Sequence, residues 1–466
     1  MAIRRSPLVR DLVFVTERVC YRKRALGHLA GKDVYRRLGA HLDSLAVRCP
    51  WNAKLRAILE ELYTPAEAEL IIKMPYSLST LARLREVTRL DEAALLRSLD
   101  VLCAKGLVID VWLDGGYRYM PSPMIIGIFE FTMMRGGDSA DTKKMARLFH
   151  DYLQGDGSFY ATNAGHGERV APMRALPYEE AFDENVEVLA YEQASAIVEG
   201  HDRFSLGTCS CRHELLHATG QACRYPLNTC MSFGYAADFL IRNHLAKESS
   251  KREALEVIAR SKELGLVLNA DNVKKKVTFI CHCCKCCCTI FAGVNTFGYP
   301  NSVVTSSWIA ELAPDECNGC GRCVESCPVN AIHVTTEEPS AVSAGGKPKV
   351  EKSATIDERF CIGCGICVTR CARDGVRLAA RAQRVLHPET TFERIILQSL
   401  ERNTLQNQLF DDPTRVTHKF MRGLIGGFLR LPPIKKALLS DLLRSRFLEA
   451  ASNGVRAAGK GWMLDV

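Results

Sequence analysis

Cysteine is the residue type with the clearest chemical potential in this chain. The 466-residue sequence contains 21 cysteines, and 18 of them fall between Cys209 and Cys371. Disulfide-rich secreted domains are short, with cysteines spread along the loops that they cross-link. Here the cysteines are bunched at C-x-C and C-x-x-C spacings. This pattern favours metal or cluster ligation in a reducing compartment.

Two motifs share one spacing in the C-terminal half. They are Cys317-x-x-Cys320-x-x-Cys323-x-x-x-Cys327-Pro328 and Cys361-x-x-Cys364-x-x-Cys367-x-x-x-Cys371. Three cysteines at i, i+3 and i+6 on a glycine-rich loop can reach three corners of one cubic cluster, and the fourth cysteine lies on the helix leading away. Zinc takes four ligands, so two interleaved quartets favour clusters over zinc.

Over residues 310–385 the sequence resembles the bacterial two-[4Fe–4S] ferredoxins. The resemblance implies that one cluster is held by Cys317, Cys320, Cys323 and Cys371, and the other by Cys361, Cys364, Cys367 and Cys327. The sequence departs from the ferredoxin motif at Ala372, where the family has proline. The connection between the two motifs is also long, with an extended loop expected at Ser340–Gly346.

A second group of cysteines includes the string CHCCKCCC at 281–288. The C-x-C segment at 209–211 follows a short β-like run at 203–206, and the C-x-C segment at 281–283 follows another at 277–280. If these runs pair as neighbouring strands, ten thiols gather at their ends: Cys209, Cys211, Cys223, Cys230, Cys281, Cys283, Cys284, Cys286, Cys287 and Cys288. Three interpretations remain open for them: one or two additional iron–sulfur clusters, zinc, or a buried thiol or disulfide role.

Three polar residues beside these cysteines have expected roles. His213 and His282 are expected to be hydrogen-bond donors or surface residues rather than metal ligands. Arg212 is expected to offset the negative charge of a thiolate-bound cluster. A helix capped at Ser250-x-x-Glu253 and stopped by Gly265 is expected to return the chain to the second β-like run.

The elements around the cysteines predict an α+β, multidomain chain. Three helices followed by a β-hairpin at 107–120 resemble a winged helix. The predicted organisation is a basic helical arm (1–50), a winged-helix-like module (51–135), a connection (136–185), a cysteine-rich α/β domain (186–305), a two-cluster ferredoxin domain (310–385) and a helical tail (386–466).

The layout as a whole resembles a group of cysteine-rich, winged-helix-containing ferredoxin-like iron–sulfur proteins found in anaerobes. The resemblance implies iron–sulfur redox chemistry without naming a reaction. No dinucleotide-binding or P-loop motif is visible. The sequence therefore favours an electron-transfer protein that passes low-potential electrons between partner redox proteins.

Two other functions remain as alternatives. One is a redox-sensing regulator whose winged helix binds DNA, and the other is an oxidoreductase with a catalytic iron–sulfur site within 209–288. The expected recognition helix starts with Asp91 and Glu92, and acidic residues there would be repelled by phosphate. Specific nucleic-acid binding is therefore not expected. The sequence identifies no substrate, so enzymatic activity stays open.

Charge and hydropathy bear on location. The formal net charge is +8, and residues 1–50 carry eleven lysine and arginine residues against four acidic ones. Each four-thiolate [4Fe–4S]²⁺ site carries a charge of about −2, so three sites would lower the net charge to about +2. Neither a signal peptide nor a transmembrane segment is predicted. A cytoplasmic protein is expected, with membrane-surface contact possible through the basic arm or the tail.

Overall fold

The computed structural model describes residues 33–182, 186–337, 351–383 and 385–466. The helix expected at Leu8–Cys20 and the loop expected at Ser340–Gly346 lie outside these residues. The described chain has a mixed α+β, multidomain architecture. Its centre is a six-stranded sheet, with helices on either side in the sequence and a ferredoxin segment after it.

Residues 33–135 form helices and a small antiparallel sheet of order β1-β3-β2. A capping box starts α3, since Thr64 and Glu67 bond each other's backbone there. The elements are α1 (Val34–Leu42), α2 (Ala53–Leu62), α3 (Pro65–Lys73), β1 (Ser79–Thr80), α4 (Leu81–Thr88), α5 (Glu92–Ala104), β2 (Val108–Leu113), β3 (Gly116–Pro121) and α6 (Phe129–Met134). Helices followed by a hairpin are the succession that the sequence predicts.

The segment 136–185 is more regular than the predicted connection. It contains α7 (Ala140–Gln154), α8 (Ser158–Ala164) and β4 (Met173–Leu176). One face of α7 buries Met145, Phe149 and Tyr152, which follow the i, i+4, i+7 spacing of an amphipathic helix. The glycines at the end of this segment obscured that period.

The central sheet is antiparallel, with the order β4-β8-β9-β6-β5-β7. As predicted, α12 starts at the Ser250–Glu253 capping box and ends at Gly265, whose φ is 72°. The elements are α9 (Ala194–Glu199), β5 (Phe204–Thr208), α10 (Ser210–Thr219), β6 (Asn228–Phe233), α11 (Gly234–Arg242), β7 (Lys247–Ser249), α12 (Lys251–Leu264), β8 (Val267–Asp271), β9 (Phe279–Cys283) and α13 (Thr289–Asn295).

The two β-like runs beside the C-x-C segments are not neighbouring strands, which corrects the sequence expectation. They form β5 and β9, and β6 lies between them, with Met231 opposite both Leu206 and Ile280. The intervening strand brings its own cysteine, Cys230, into the sheet. Moreover, Cys209 caps α10 and Cys211 lies in its first turn. Only the second C-x-C segment is extended.

The remaining chain comprises two β-ribbons, two short helices and a helical tail. The ribbon elements are β10 (Trp308–Leu312) with β13 (Val376–Ala380), and β11 (Ile332–Glu337) with β12 (Glu351–Ile356). The helices are α14 (Arg322–Ser326), α15 (Ile366–Thr369), α16 (Thr391–Glu401), α17 (Leu405–Leu409), α18 (Val416–Leu429), α19 (Pro432–Leu439) and α20 (Asp441–Ala457). The predicted helical tail is thus confirmed as helical.

One large apolar core runs from Leu38 to Leu378 and includes residues of the helices, the sheet and the ferredoxin segment. A smaller core between the tail helices contains Phe392, Ile396 and Leu400. The ferredoxin segment is therefore packed against the cysteine-rich sheet. This packing fixes the position of the ferredoxin cysteines relative to the cysteines of 209–288.

Candidate metal centres

The two loops of the ferredoxin segment have the same backbone conformation. Gly319 and Gly321 have φ values of 66° and 81°, and Gly363 and Gly365 have φ values of 64° and 77°. Glycine is the residue that adopts this left-handed conformation without steric cost. Each loop is followed by a short helix, α14 in the first motif and α15 in the second. The two motifs therefore repeat the same local structure.

One predicted quartet lines a single pocket of the ferredoxin segment. Its cysteines are Cys327, Cys361, Cys364 and Cys367, and all four are buried. Two backbone amides point at its sulfur atoms: the amide of Ala331 donates to Cys327 Sγ over 3.2 Å, and that of Ala310 to Cys361 Sγ over 3.5 Å. Such donors stabilise thiolate sulfur on a cluster.

The other predicted quartet lies nearer the surface. Cys320 is exposed, Cys317 and Cys371 are half-buried, and Cys323 is buried. The backbone at Gly375 passes against Cys317, where an added Cβ would be 3.2 Å from its Cα. The chain after Cys371 thus returns to the first loop, as the interleaved assignment requires.

The ten middle cysteines divide into two groups. The first, termed the four-cysteine group, consists of Cys223, Cys284, Cys286 and Cys287, whose sulfur atoms all lie within 4.8 Å of one another. Cys223 Sγ is 3.8 Å from the sulfur atoms of both Cys284 and Cys286. Four thiols at this separation can hold a metal centre.

The second, termed the six-cysteine group, consists of Cys209, Cys211, Cys230, Cys281, Cys283 and Cys288. Neighbouring thiols of this group interact in one series, from Cys209 to Cys211, Cys288, Cys283, Cys281 and Cys230. The sequence places all ten cysteines together, and the structure shows that they form two separate groups.

Arg212 lies between the two groups and is 1 % exposed. Its guanidinium donates to the carbonyl oxygens of Pro226 and His282, both over 2.5 Å, and to Thr229 Oγ1 over 2.8 Å. It also interacts with the thiols of Cys209 and Cys284. The expected role of Arg212 as a counter-charge for thiolates fits this position.

The electrostatics of Cys284 follow from these contacts. Its contact with the Cys287 thiol and the nearby Arg212 guanidinium lower the pKa of Cys284 to about 4, against the opposing effect of burial. Cys284 is therefore a thiolate at neutral pH, the form that binds metal.

Neither histidine beside these cysteines is placed as a ligand. His282 Nδ1 is 2.7 Å from Ser261 Oγ, and burial together with Arg212 lowers the pKa of His282 to about 3. His213 Nδ1 is 2.6 Å from the carbonyl oxygen of Met133. Both rings are buried and hydrogen-bonded, so the expectation of a surface residue does not apply.

Two residues that the sequence did not indicate connect the ferredoxin segment to the four-cysteine group. Tyr178 is buried, donates from its hydroxyl to the Leu266 carbonyl over 2.7 Å, and bonds through its amide to the Cys364 carbonyl over 3.0 Å. Leu266 in turn packs with Cys284 and Cys287.

The second connection is Lys285, which lies within the cysteine string. Burial raises the pKa of the Cys327 thiol, and the nearby positive charge of Lys285 partly offsets this rise. The string CHCCKCCC could have indicated Lys285, because a cation among thiolates is itself a signal. No sequence signal indicated Tyr178.

Comparison with known families identifies the ferredoxin segment. The model of a 4Fe-4S dicluster domain matches residues 316–374. Comparison with curated proteins and with solved structures gives no match. The chain therefore carries two [4Fe–4S] clusters in this domain, which confirms the expectation from the motif spacing, and the four-cysteine group suggests an additional cluster.

The structure also bears on the remaining sequence expectations. Cys49 and Cys103 are buried, with 0 % and 3 % exposure, as ordinary core residues. Cys20 lies outside the described residues. Within the described ranges, no helix combines the length and apolarity needed to cross a bilayer.

Gly363→Ala should weaken the dicluster domain more than Gly321→Ala. Both changes put a side chain at positive φ, which costs about 1–2 kcal/mol. At Gly363 an added Cβ would also lie 2.1 Å from the Trp308 carbonyl oxygen, whereas at Gly321 no atom lies within 4 Å. Overpacking adds about 1–3 kcal/mol. Anaerobic denaturation and iron content measure the difference, and equal losses in both variants would contradict the steric explanation.

Proposed function

We propose that this protein is an iron–sulfur electron-transfer protein, in which electrons enter at the exposed dicluster site and pass through the buried dicluster site to the four-cysteine group. One observation carries the proposal: the candidate metal centres form a spatial sequence. The quartet with the exposed Cys320 is followed by the buried quartet of Cys327, and the four-cysteine group comes next, through Tyr178 and Lys285. Iron–sulfur clusters in such a sequence suit one-electron transfer.

The ligand assignment belongs to this proposal. One cluster is held by Cys317, Cys320, Cys323 and Cys371, and the other by Cys327, Cys361, Cys364 and Cys367. The shared cavity supports the second set, and the return of the chain at Gly375 supports the first. When bound, the clusters supply one-electron redox chemistry. The protein supplies thiolates, amide donors and the exclusion of water.

Cys320→Ser tests both the assignment and the direction of transfer. The variant should lose or convert one cluster of about four irons and keep the other. Reduction of the remaining centres by an external low-potential donor should become slower, because the exposed entry site is lost. Iron analysis, paramagnetic resonance and stopped-flow reduction measure these effects.

The matched control is Cys103→Ser, which changes a buried cysteine outside every group. It should keep the full iron content and the reduction rate. Retention of the full iron content by Cys320→Ser would disprove the ligand assignment, whereas loss of iron with an unchanged rate would disprove entry at this cluster.

We further propose that residues 51–135 form a winged helix that docks a partner redox protein rather than DNA. Glu92, at the start of the expected recognition helix, is paired with Arg85 over 2.7 Å. The hairpin is partly covered by the chain itself, since Arg242 bonds Asp110 and the Tyr117 hydroxyl. Exposed apolar side chains, Val101 and Trp112, suit a protein surface.

Binding to nucleic acid should therefore be weak and unspecific. At physiological salt we expect dissociation constants weaker than about 1 μM and a steep salt dependence for random duplexes. A selection from random duplexes followed by titration measures this. A fixed sequence bound at nanomolar strength, and lost in Arg97→Ala, would instead favour the regulator.

A second proposed contact is between the tail and an anionic membrane surface. Val416, Phe420, Leu424 and Phe428 form an i, i+4 row on α18 and are 81 %, 69 %, 59 % and 52 % exposed. The opposite face of α18 packs on the tail core through Leu429. Residues 415–460 carry ten lysine and arginine residues and two acidic ones. An exposed apolar row in a basic segment fits an interfacial helix.

Replacing Phe420 and Leu424 by serine should weaken binding to vesicles of mixed neutral and anionic phospholipids. Burial of one such side chain contributes about 1.5–3 kcal/mol, so the loss should be at least about tenfold. Sedimentation with vesicles measures it. The control is Val101→Ser, an exposed apolar residue outside the tail. Equal binding of all three proteins, or no binding by the unmodified chain, would disprove membrane contact.

A further inference from the structure

The cysteines of the eight-residue string 281–288 are divided between the two cysteine groups of the middle domain. Three of its cysteines, Cys281, Cys283 and Cys288, belong to the six-cysteine group. The other three, Cys284, Cys286 and Cys287, belong to the four-cysteine group. For neighbouring cysteines to lie in two separate groups, the backbone must change direction within the string.

The path consists of a strand, a turn and a helix. Within β9, Cys281 and Cys283 share one face because side chains alternate along a strand. After Cys283 the chain turns through 285–287, and the amide of Cys288 donates to the Cys284 carbonyl over 3.2 Å. This turn projects its own cysteines to one side and returns Cys288 to Cys283.

The partners of the six-cysteine group come from other elements. Cys230 lies on β6, one residue before Met231, which pairs with Ile280 of β9, and the Cys230 thiol interacts with that of Cys281. Cys209 and Cys211 come from the start of α10, and the Cys211 thiol interacts with that of Cys288. Three separate parts of the fold therefore deliver thiols to one continuous series.

The shape of this series excludes a single metal ion as its occupant. A tetrahedral zinc site needs four sulfur atoms around one ion, at Zn–S distances of about 2.3 Å. Among the described residues, the one set of cysteines whose sulfur atoms all lie within 4.8 Å of each other is the four-cysteine group. Six thiols in an extended series suit ligands bound to several different metal ions.

The surroundings of the six thiols suit cluster sulfur. Asn269 is 0 % exposed and lies against Cys283, and neither its amide nitrogen nor its oxygen bonds another oxygen or nitrogen atom of the described chain. Thr289 Oγ1 is 3.4 Å from Cys211 Sγ. A buried carboxamide without an oxygen or nitrogen partner is costly unless it bonds a ligand.

We propose that the six-cysteine group is a second metal centre of the middle domain, separate from the four-cysteine group, and that it binds a polynuclear iron–sulfur cluster. Occupancy of this centre does not depend on the proposed route of electron transfer. It adds a cluster to those implied by the dicluster domain and the four-cysteine group.

Two matched variants of the full chain test the proposal, each with three cysteines replaced by serine. One changes Cys211, Cys283 and Cys288, and the other changes Cys284, Cys286 and Cys287. After anaerobic reconstitution, the first should lose about four or more irons with matching sulfide, and keep both dicluster clusters. The second should keep the iron lost by the first. Combining all six changes should leave about eight irons.

Several results would overturn the proposal. No loss of iron and sulfide from the Cys211, Cys283 and Cys288 variant would do so, as would zinc without sulfide. Loss of all iron beyond the dicluster from both variants would show one joint site. If the first variant does not fold, the second decides: iron and sulfide above about eight per chain support the six-cysteine centre, and about eight overturn it. The paramagnetic signals of the dicluster, which serve as the folding control, report separately on the proposed function.

Discussion

Negative charge on buried thiolates is the constraint on which the centre of this structure depends. Isolated charges inside a protein are costly unless they are paired or bound to metal. Arg212 is almost fully buried, and the charged groups that interact with it are the thiols of Cys209, Cys284 and Cys223. The guanidinium and the thiolates therefore require each other. Removal of either would leave a buried charge uncompensated, so metal loading and folding of this region are coupled.

The same side chain also fixes geometry. Arg212 bonds the carbonyl of Pro226, the hydroxyl of Thr229 on β6 and the carbonyl of His282 on β9. These residues stand beside Cys223, Cys230 and the cysteine string. One guanidinium thus ties together the three segments that supply most of the middle thiols. Because its planar fork is rigid, it also limits how far the two cysteine groups can move relative to each other.

The sequence predicted the dicluster domain because its ligands are local. Spacings such as Cys317-x-x-Cys320, with glycines at the required positions, specify a loop conformation without tertiary information. The middle cysteines behave differently, because their grouping depends on the insertion of β6 between β5 and β9 and on the turn after Cys283. No local spacing encodes either feature. The expectation of adjacent strands therefore failed although both strands were located, and the partition into two groups became visible only in the fold.

The exposure of the cysteines suggests how the proposed centres divide their roles. Among the described cysteines, Cys320 and Cys286 are the exposed ones. The first belongs to the outer dicluster quartet and the second to the four-cysteine group, so the proposed transfer sequence runs between two surface points. The six-cysteine group has no exposed member. Two of its members, Cys283 and Cys288, are buried and the other four are half-buried. The proposed centre is therefore less accessible to a partner protein than either surface point, and it is placed to exchange electrons through the neighbouring centres.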